Sequence, residues 1–236
     1  MKGKNKKMTE PMEYLAQAII DAFDEYFIND GIGVHDVSHV MRVMQTASQI
    51  YFDEKSRNPK QFSKNSETII TLASLLHDID DYKITGDCTE STHNADKVMS
   101  AVNIPDHIQN TVRQIIKEVP WHNHTKPSTI EGQIVQDADR LDALGYIGIA
   151  RIFAYGGSNH RLIYNPLESK KPPEQNEYMS NTRSSFSHFN DKILKIKEKM
   201  NTKLGKKIAK EKTKIVTNFM DGFLKEWNEG MPYGKT

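Results

Sequence analysis

Apolar residues recur at helical spacing along most of the 236-residue chain. Positions three and four apart repeat through each long segment, whereas runs of alternating apolar and polar residues long enough for strands are hard to find. The pattern therefore predicts an all-α protein. The predicted helices cover, in chain order, residues 11–27, 37–52, 66–76, 92–102, 106–117, 128–144, a segment after Gly145, 184–204 and 206–227.

The spacing also predicts which faces of the first two helices are buried. Gly31 and Gly33 are expected to stop the first helix, and Asp36 to cap the second. The buried stripe predicted for the first helix is Tyr14, Ala18, Ile19, Ala22 and Phe23. The inward positions predicted for the second helix are Val40, Val43, Met44, Ala47 and Ile50.

Two stretches in the second half of the chain depart from a simple helical pattern. Residues 156–183 are rich in Gly, Pro, Ser and Asn, which predicts a long loop of the kind that often covers a site. Between Asp191 and Lys214 lie ten lysines against three acids. Apolar residues recur at helical spacing through this lysine-rich stretch, so it is interpreted as an amphipathic helix with a solvated lysine face.

Composition narrows the class of protein. The net charge is only +1, so the chain as a whole does not look like a nucleic-acid binder. No run of about 18 apolar residues occurs, and the basic start has no apolar segment behind it, so neither a membrane span nor a signal peptide is indicated. The single cysteine, Cys88, excludes a disulfide framework and a zinc site of several cysteines. These features predict a cytoplasmic protein and leave a homo-oligomer open.

Three separated segments place histidine or aspartate against an apolar helical pattern. They are "HDVSHVMRV" (35–43), "LLHDIDDYK" (75–83) and "QDADRLDALG" (136–145). His39 borders the buried stripe of the second helix, while His35 lies outside that helix if Asp36 is its cap. In the third segment Asp139 and Asp142 both flank the buried face, whereas Asp137 and Arg140 are expected to point elsewhere.

Together the three segments indicate a metal site. Adjacent residues on a helix lie about 100° apart, so a metal beside the axis can take both His77 and Asp78. Two histidines and two aspartates form a mixed nitrogen and oxygen set suited to Mn²⁺, Fe²⁺, Zn²⁺ or Mg²⁺. Four protein ligands leave positions open for water and substrate, which is a catalytic arrangement. Asp80 is expected at the surface.

This order of residues resembles the HD superfamily of metal-dependent phosphohydrolases, whose ligands follow the order H…HD…D on an α-helical domain. The resemblance implies a divalent metal (Mn, Mg, Fe, Co, Ni or Zn) bound by His39, His77, Asp78 and Asp139. The stretches "DADRLDALGYIGIARIFAYGG", "IYNP" and "SHFNDKILKIKEKMNTKLGKKIAK" are similar to a bacterial branch that includes nucleotide pyrophosphohydrolases. The likeness covers the chain from about Val34 to Trp227.

The resemblance implies a helical bundle with additional C-terminal helices. We divide the chain into an N-terminal helix packing on the domain, the HD core, a long loop that is either a lid or a mobile segment, and C-terminal helices completing the same domain. The corresponding ranges are 1–30, 31–155, 156–183 and 184–236.

Further roles follow for residues beside the ligands. Asp81 stands where some HD relatives carry an acid, so it is the candidate general base or water-orienting group. Lys83, Arg42, Arg140 and Arg151 are the candidate cations for phosphate. Arg42 and Arg140 are alternatively ion-pair partners that brace Asp139 or Asp142. Trp121 is a candidate base-stacking surface, with His122 and His124 read as surface histidines.

The implied substrates are nucleotides, with (deoxy)nucleoside triphosphates ahead of other phosphoesters. Attack at the α-phosphorus gives a monophosphate and pyrophosphate. A second enzyme hypothesis is hydrolysis of (p)ppGpp, whose hydrolases usually follow the HD pair with Glu-Asp, where this chain has Asp81-Tyr82. A non-enzymatic metal or nucleotide sensor is the hypothesis from a different class.

Overall fold

The computed structural model describes residues 10–22, 37–80, 92–123, 125–168 and 183–229. Within these ranges the chain forms helices and no strand, which confirms the all-α prediction. The α-helices are α1 (Glu10–Ala22), α2 (Val37–Arg57), α3 (Ser66–Leu76), α4 (His93–Ala101), α5 (Asp106–Glu118), α6 (Ile130–Asp142), α7 (Gly145–Ser158), α8 (Ser187–Asp191) and α9 (Lys203–Glu229). Short 3₁₀ helices span Pro59–Gln61, Trp121–Asn123 and Ile193–Lys199.

The chain divides into two compact units. The first comprises Met1–Asp142 together with Asn201–Gly205, and the second comprises Ala143–Met200 and Lys206–Thr236. The four-part division expected from the sequence stays a prediction. No described helix has both the length and the apolar character needed to cross a membrane.

Helix α3 is the centre of the first unit. Every residue from Ile69 to Leu76 is buried, because six of these eight residues are apolar, Thr71 and Ser74 are small, and other helices surround the segment. It packs against α1, α2, α5 and α6, and α2 also packs against α6. His77, which directly follows the last residue of α3, therefore lies in the interior.

Helix α2 confirms the predicted inward positions. Val40, Val43, Met44, Ala47 and Ile50 are all buried. The helix continues past the predicted end at Phe52 to Arg57, because Tyr51 is also buried and the first stop signal is Pro59. Asp36, the predicted cap, lies outside the described residues.

The predicted stripe of α1 is wrong at Tyr14. This side chain is 78% exposed, whereas Ala16 and Ile19 are buried. Two residues along a helix correspond to about 200° of rotation, so a helix that buries Ala16 turns Tyr14 outward. The buried face of α1 therefore includes the predicted Ile19 but is rotated away from Tyr14 and toward Ala16. The side chain of Ala22 and all of Phe23 lie outside the described part of the chain.

An aromatic cluster forms the core of the second unit. Phe186 stacks on Phe223 with ring centroids 4.9 Å apart, and Phe223 stacks on Trp227 one turn along α9 at 5.7 Å. Aromatic side chains bury large areas and prefer such offset or edge contacts. The cluster consists of Phe153, Tyr164, Phe186, Phe189, Phe219, Phe223 and Trp227.

The helix predicted over residues 184–204 is wrong. The chain instead forms α8, a 3₁₀ helix and an extended residue at Met200 before α9 begins at Lys203. Gly205 was expected to separate two helices, but it lies in the first turn of α9. The reason is that Thr202 caps α9, its hydroxyl oxygen accepting the Gly205 N–H at 3.1 Å.

Two adjacent glycines near the end of α7 give a test of this packing. A Cβ on Gly156 would overlap Ser185 Oγ and lie 3.0 Å from Ser185 Cβ, whereas a Cβ on Gly157 would meet nothing within 4 Å. We expect Gly156→Ala to lower the free energy of unfolding by about 1–3 kcal/mol through overpacking. We expect Gly157→Ala to change it by less than about 1 kcal/mol, in the stabilising direction. Urea unfolding of both variants checks the difference, and equal effects would contradict the close approach at Gly156.

Candidate metal centre

The four candidate ligands of the sequence converge in the first unit. Single ligand atoms of His39, His77 and Asp139 all lie within 4.8 Å of one another. Asp78 Oδ2 lies 3.3 Å from His39 Nε2 and 3.4 Å from His77 Nε2. Asp139 Oδ1 lies 3.6 Å from each of the same two nitrogens. Helix α2, the end of α3 and helix α6 thus supply one cluster.

His39 is held with its Nε2 toward the cluster. Its Nδ1 lies 2.8 Å from Asp142 Oδ2, and an ionised carboxylate only accepts hydrogen bonds, so Nδ1 carries the proton. Asp142 is in turn held by Arg42, whose Nε and Nη2 donate to its two oxygens at 2.7 and 3.1 Å. This His39–Asp142–Arg42 chain leaves the Nε2 lone pair available as a ligand.

His77 is oriented by the end of α3. Its Nδ1 donates to the carbonyl oxygen of Ser74 at 2.8 Å, which satisfies one of the carbonyls left free at a helix C-terminus. Its Nε2 is buried and makes no hydrogen bond. A buried nitrogen with this geometry needs a partner, and the two nearby carboxylates do not form a hydrogen bond with it.

The electrostatics of the cluster favour a positive charge at its centre. Burial lowers the pKa of the His77 imidazole, but the charges of Asp78 and Asp139, the closeness of Asp139 to Nε2 and the hydrogen bond from Nδ1 to Ser74 outweigh burial and raise it to about 10. Burial and the charge of Asp78 raise the pKa of Asp139, but the combined interactions with His77 and His39 outweigh them, so the net shift is downward. A divalent cation supplies the positive charge that these carboxylates attract.

These residues fit a divalent metal ion. Donor atoms bound at about 2.0–2.2 Å to one ion lie about 3–3.5 Å from each other, close to the separations seen here. The imidazoles are 1–2% exposed, while Asp78 and Asp139 are 18% and 28% exposed. Solvent therefore reaches the cluster from the carboxylate side, where further ligands of an ion can bind.

The predicted cations lie in different surroundings. Arg42 is paired with Asp142, as in the bracing alternative. The Arg140 guanidinium is 5.2 Å from the centre of the Trp121 ring, and burial lowers its pKa against the raising effect of Asp137 and Asp139. Arg151 lies half-buried on α7 in the second unit. The other predicted residues of this region lie outside the described residues: His35, Asp81, Lys83 and His124.

Two aspartates were placed wrongly from the sequence. Asp80 was expected at the surface, but its carboxylate oxygens accept the N–H groups of Asn94 and Ala95 at 2.9 and 3.0 Å. It thereby caps α4, where free amides favour an anion. Asp137 was expected to point away from the buried face, but it is 0% exposed. Arg140, expected to point elsewhere too, is also buried. The hydrogen-bond donors to both aspartates lie outside the helix or turn that carries the aspartate. Helical spacing alone therefore does not reveal them.

Comparison with known proteins places this geometry in a family. The HD domain family model matches residues 36–144, the stretch that carries all four candidate ligands. YpgQ of Bacillus subtilis is 29% identical over 226 residues, which are 94% of this chain and 97% of YpgQ. A solved structure of YpgQ in complex with ADP is 24% identical, covers 91% of this chain and 97% of that one, and shares the fold with a TM-score of 0.63.

Two further solved structures cover nearly the whole chain. An HD-superfamily hydrolase from Bacillus thuringiensis is 32% identical, with a TM-score of 0.64, over 93% of this chain and 97% of that one. A protein from Lactobacillus plantarum is 27% identical, with a TM-score of 0.73, over 94% of this chain and 99% of that one. Fold and site together define a helical hydrolase domain with a histidine and aspartate cluster. The chain belongs to the HD superfamily of hydrolases.

The Asp142 contact predicts an effect on metal affinity. Asp142→Ala removes the acceptor that fixes the His39 tautomer, so we expect Mn²⁺ affinity to fall by about 10- to 100-fold. Asp142→Asn keeps an acceptor for His39 but loses the charge that pairs with Arg42, and we expect a smaller loss. Titration against a competing chelator measures the affinities.

The matched control is Asp221→Ala, which removes an exposed aspartate of α9. We expect this variant to bind Mn²⁺ like the wild type. A folded Asp142→Ala protein, verified by circular dichroism, that retained wild-type affinity would contradict the orienting role of Asp142.

Proposed function

We propose that the protein is a divalent-metal-dependent phosphohydrolase of (deoxy)nucleoside triphosphates. The observation that carries the proposal is the convergence of His39, His77, Asp78 and Asp139, with the buried Nε2 of His77 lacking a hydrogen bond. Support for a nucleotide comes from YpgQ, a relative of similar length whose structure was solved with ADP. Manganese is the proposed ion and the cytoplasm the proposed location.

The imidazoles of His39 and His77 and the carboxylates of Asp78 and Asp139 would hold the proposed ion. When bound, it lowers the pKa of a coordinated water and offsets negative charge on the phosphate. The chain supplies the rest. Asp142 and the Ser74 carbonyl hold the two imidazoles in the tautomer that presents Nε2, so the donor set is fixed before substrate arrives.

We assign the proton transfer to Asp81. The water oxygen forms a bond to the α-phosphorus while the bond from that phosphorus to the pyrophosphate oxygen breaks. The carboxylate of Asp81 accepts the water proton, and the products are a monophosphate and pyrophosphate. The assignment is supported by position along the chain, since Asp81 directly follows Asp80, which α4 holds.

We assign phosphate contact to Lys83, and Arg151 stays a candidate from the sequence alone. Arg42 is engaged by Asp142 in a bidentate pair, which supports its bracing role, and Arg140 is buried beside Trp121, so we assign neither arginine to phosphate. Lys83 follows the HD pair closely, and an ammonium group there would offset charge on the triphosphate.

A screen of metals and nucleotides tests the proposal. Metal-stripped protein is resupplied with Mn²⁺, Mg²⁺, Fe²⁺, Co²⁺, Ni²⁺ or Zn²⁺ and incubated with ribo- and deoxynucleoside triphosphates and with ppGpp. We expect turnover of triphosphates, greatest with Mn²⁺, releasing pyrophosphate. Orthophosphate or tripolyphosphate as the product would identify a different attacked bond.

The screen also separates the alternatives. Release of pyrophosphate from ppGpp without turnover of triphosphates would favour the alarmone hydrolase. Metal and nucleotide binding with no product from any substrate would favour the sensor.

Loss of one ligand gives the sharpest control. We expect Asp78→Ala to reduce turnover and Mn²⁺ affinity by more than about 100-fold, since removing a direct ligand exceeds the effect of removing its outer partner. Asp221→Ala is the matched control and is expected to match the wild type. Full metal content and full activity in Asp78→Ala would show that the metal hypothesis is wrong.

A further inference from the structure

Asp137 is a buried carboxylate two residues before the candidate ligand Asp139. Its two oxygens accept hydrogen bonds from one short segment, which begins 64 residues further along the chain. The donors are the N–H of Asn201 at 2.8 and 3.1 Å, the Asn201 amide at 2.9 Å, the N–H of Thr202 at 2.8 Å and the Thr202 hydroxyl at 2.7 Å. An ionised carboxylate buried at 0% exposure requires such donors.

Gly205 allows the segment to approach this closely. A Cβ at this position would overlap Asp137 Oδ2 and lie 2.7 Å from Thr202 Oγ1. The Thr202 hydroxyl donates to Asp137 and also accepts the Gly205 N–H. Residues Asn201–Gly205 thus form one capping turn around the carboxylate.

The same turn is joined to two other parts of the first unit. The Asn201 amide also donates to Gln136 Oε1 at 3.0 Å, and the Gln136 amide donates to the carbonyls of Glu118 and Thr125 at 3.0 and 2.9 Å. The N–H of Lys203 donates to Glu54 on α2 at 3.0 Å. The turn therefore connects α6, which carries Asp139, with α2, which carries His39.

We infer that the Asn201–Gly205 turn positions the candidate metal ligands, so that residues outside the family-matched segment 36–144 are part of the metal-holding unit. Residues two apart on a helix lie about 200° around its axis. Hydrogen bonds that fix Asp137 on one side of α6 thereby fix the direction of Asp139 on the other. Asp137 and Thr202 are positioning residues, and this inference rests on the proposed metal function.

Paired substitutions test the inference on the full-length protein. Thr202→Val keeps the shape of the side chain but loses the hydroxyl, whereas Thr202→Ser keeps the hydroxyl. Gly205→Ala forces a methyl group against Asp137, whereas Gly222→Ala adds one to the same helix where nothing lies within 4 Å. Mn²⁺ affinity and the visible spectrum of bound Co²⁺ report on ligand geometry directly.

We expect Thr202→Val and Gly205→Ala to weaken Mn²⁺ binding by about 10-fold or more and to alter the Co²⁺ spectrum. We expect Thr202→Ser and Gly222→Ala to stay within about twofold of the wild type, since neither removes a contact of the turn. Wild-type affinity and spectrum in folded Thr202→Val and Gly205→Ala, even with reduced thermal stability, would overturn the inference.

A milder variant keeps the test decisive if those two fail to fold. Asn201→Ala removes only the side-chain donor and retains both backbone donors, and we expect a smaller loss of affinity in the same direction. Wild-type affinity in folded Asn201→Ala would then overturn the inference. Absence of Mn²⁺ binding by the wild type would instead refute the proposed function.

Discussion

The first unit depends on bringing two imidazoles and two carboxylates together beside a fully buried helix. Each of these groups loses hydration when it enters the interior, and each must be compensated there. The Nε2 atoms of the two histidines face the oxygens of the two carboxylates. Each Nδ1 is compensated separately, that of His39 by Asp142 and that of His77 by the Ser74 carbonyl. Helix α3 is buried from Ile69 to Leu76, so the chain enters the site at His77 and Asp78 directly from the interior.

Outside the cluster, charged groups hold charged groups. Arg42 donates hydrogen bonds to Asp142, and Asp142 accepts one from His39. The positive charge of Arg42 thus stabilises the carboxylate that orients the candidate ligand His39. Arg140 directly follows the candidate ligand Asp139, yet its guanidinium lies over Trp121 rather than in an exposed position suited to phosphate. A basic residue next to a metal ligand is therefore ambiguous from sequence, because bracing and substrate binding require the same charge at nearly the same place.

Sequence reasoning predicted well what depends on local periodicity. The start of α3, the inward row of α2 and the four-residue cluster follow from apolar spacing and from the H…HD…D order. It failed where partners are remote. Tyr14 differs from its prediction because several stripes fit a short helix, and only packing selects one. Asp80 and Asp137 differ because their partners are the N–H groups of distant helix starts. The sequence did contain one usable signal, since Thr202 is a standard N-cap residue that places the start of α9 at Lys203.

The burial of Asp137 and its hydrogen bonds with Asn201 and Thr202 are the more consequential difference from the sequence prediction. The HD family model matches the chain as far as residue 144, but Asp137 inside that segment accepts hydrogen bonds from Asn201 outside it. Asp137 and Gln136 lie within the matched segment and are buried, and their side-chain oxygens accept hydrogen bonds from Asn201, with Thr202 also donating to Asp137. Because a buried carboxylate lacking donors is unfavourable, the turn that supplies these donors, Asn201–Gly205, belongs to the first compact unit. The glycine at position 205 is explained by the same contact, because the Asp137 carboxylate occupies the space that a side chain on residue 205 would need.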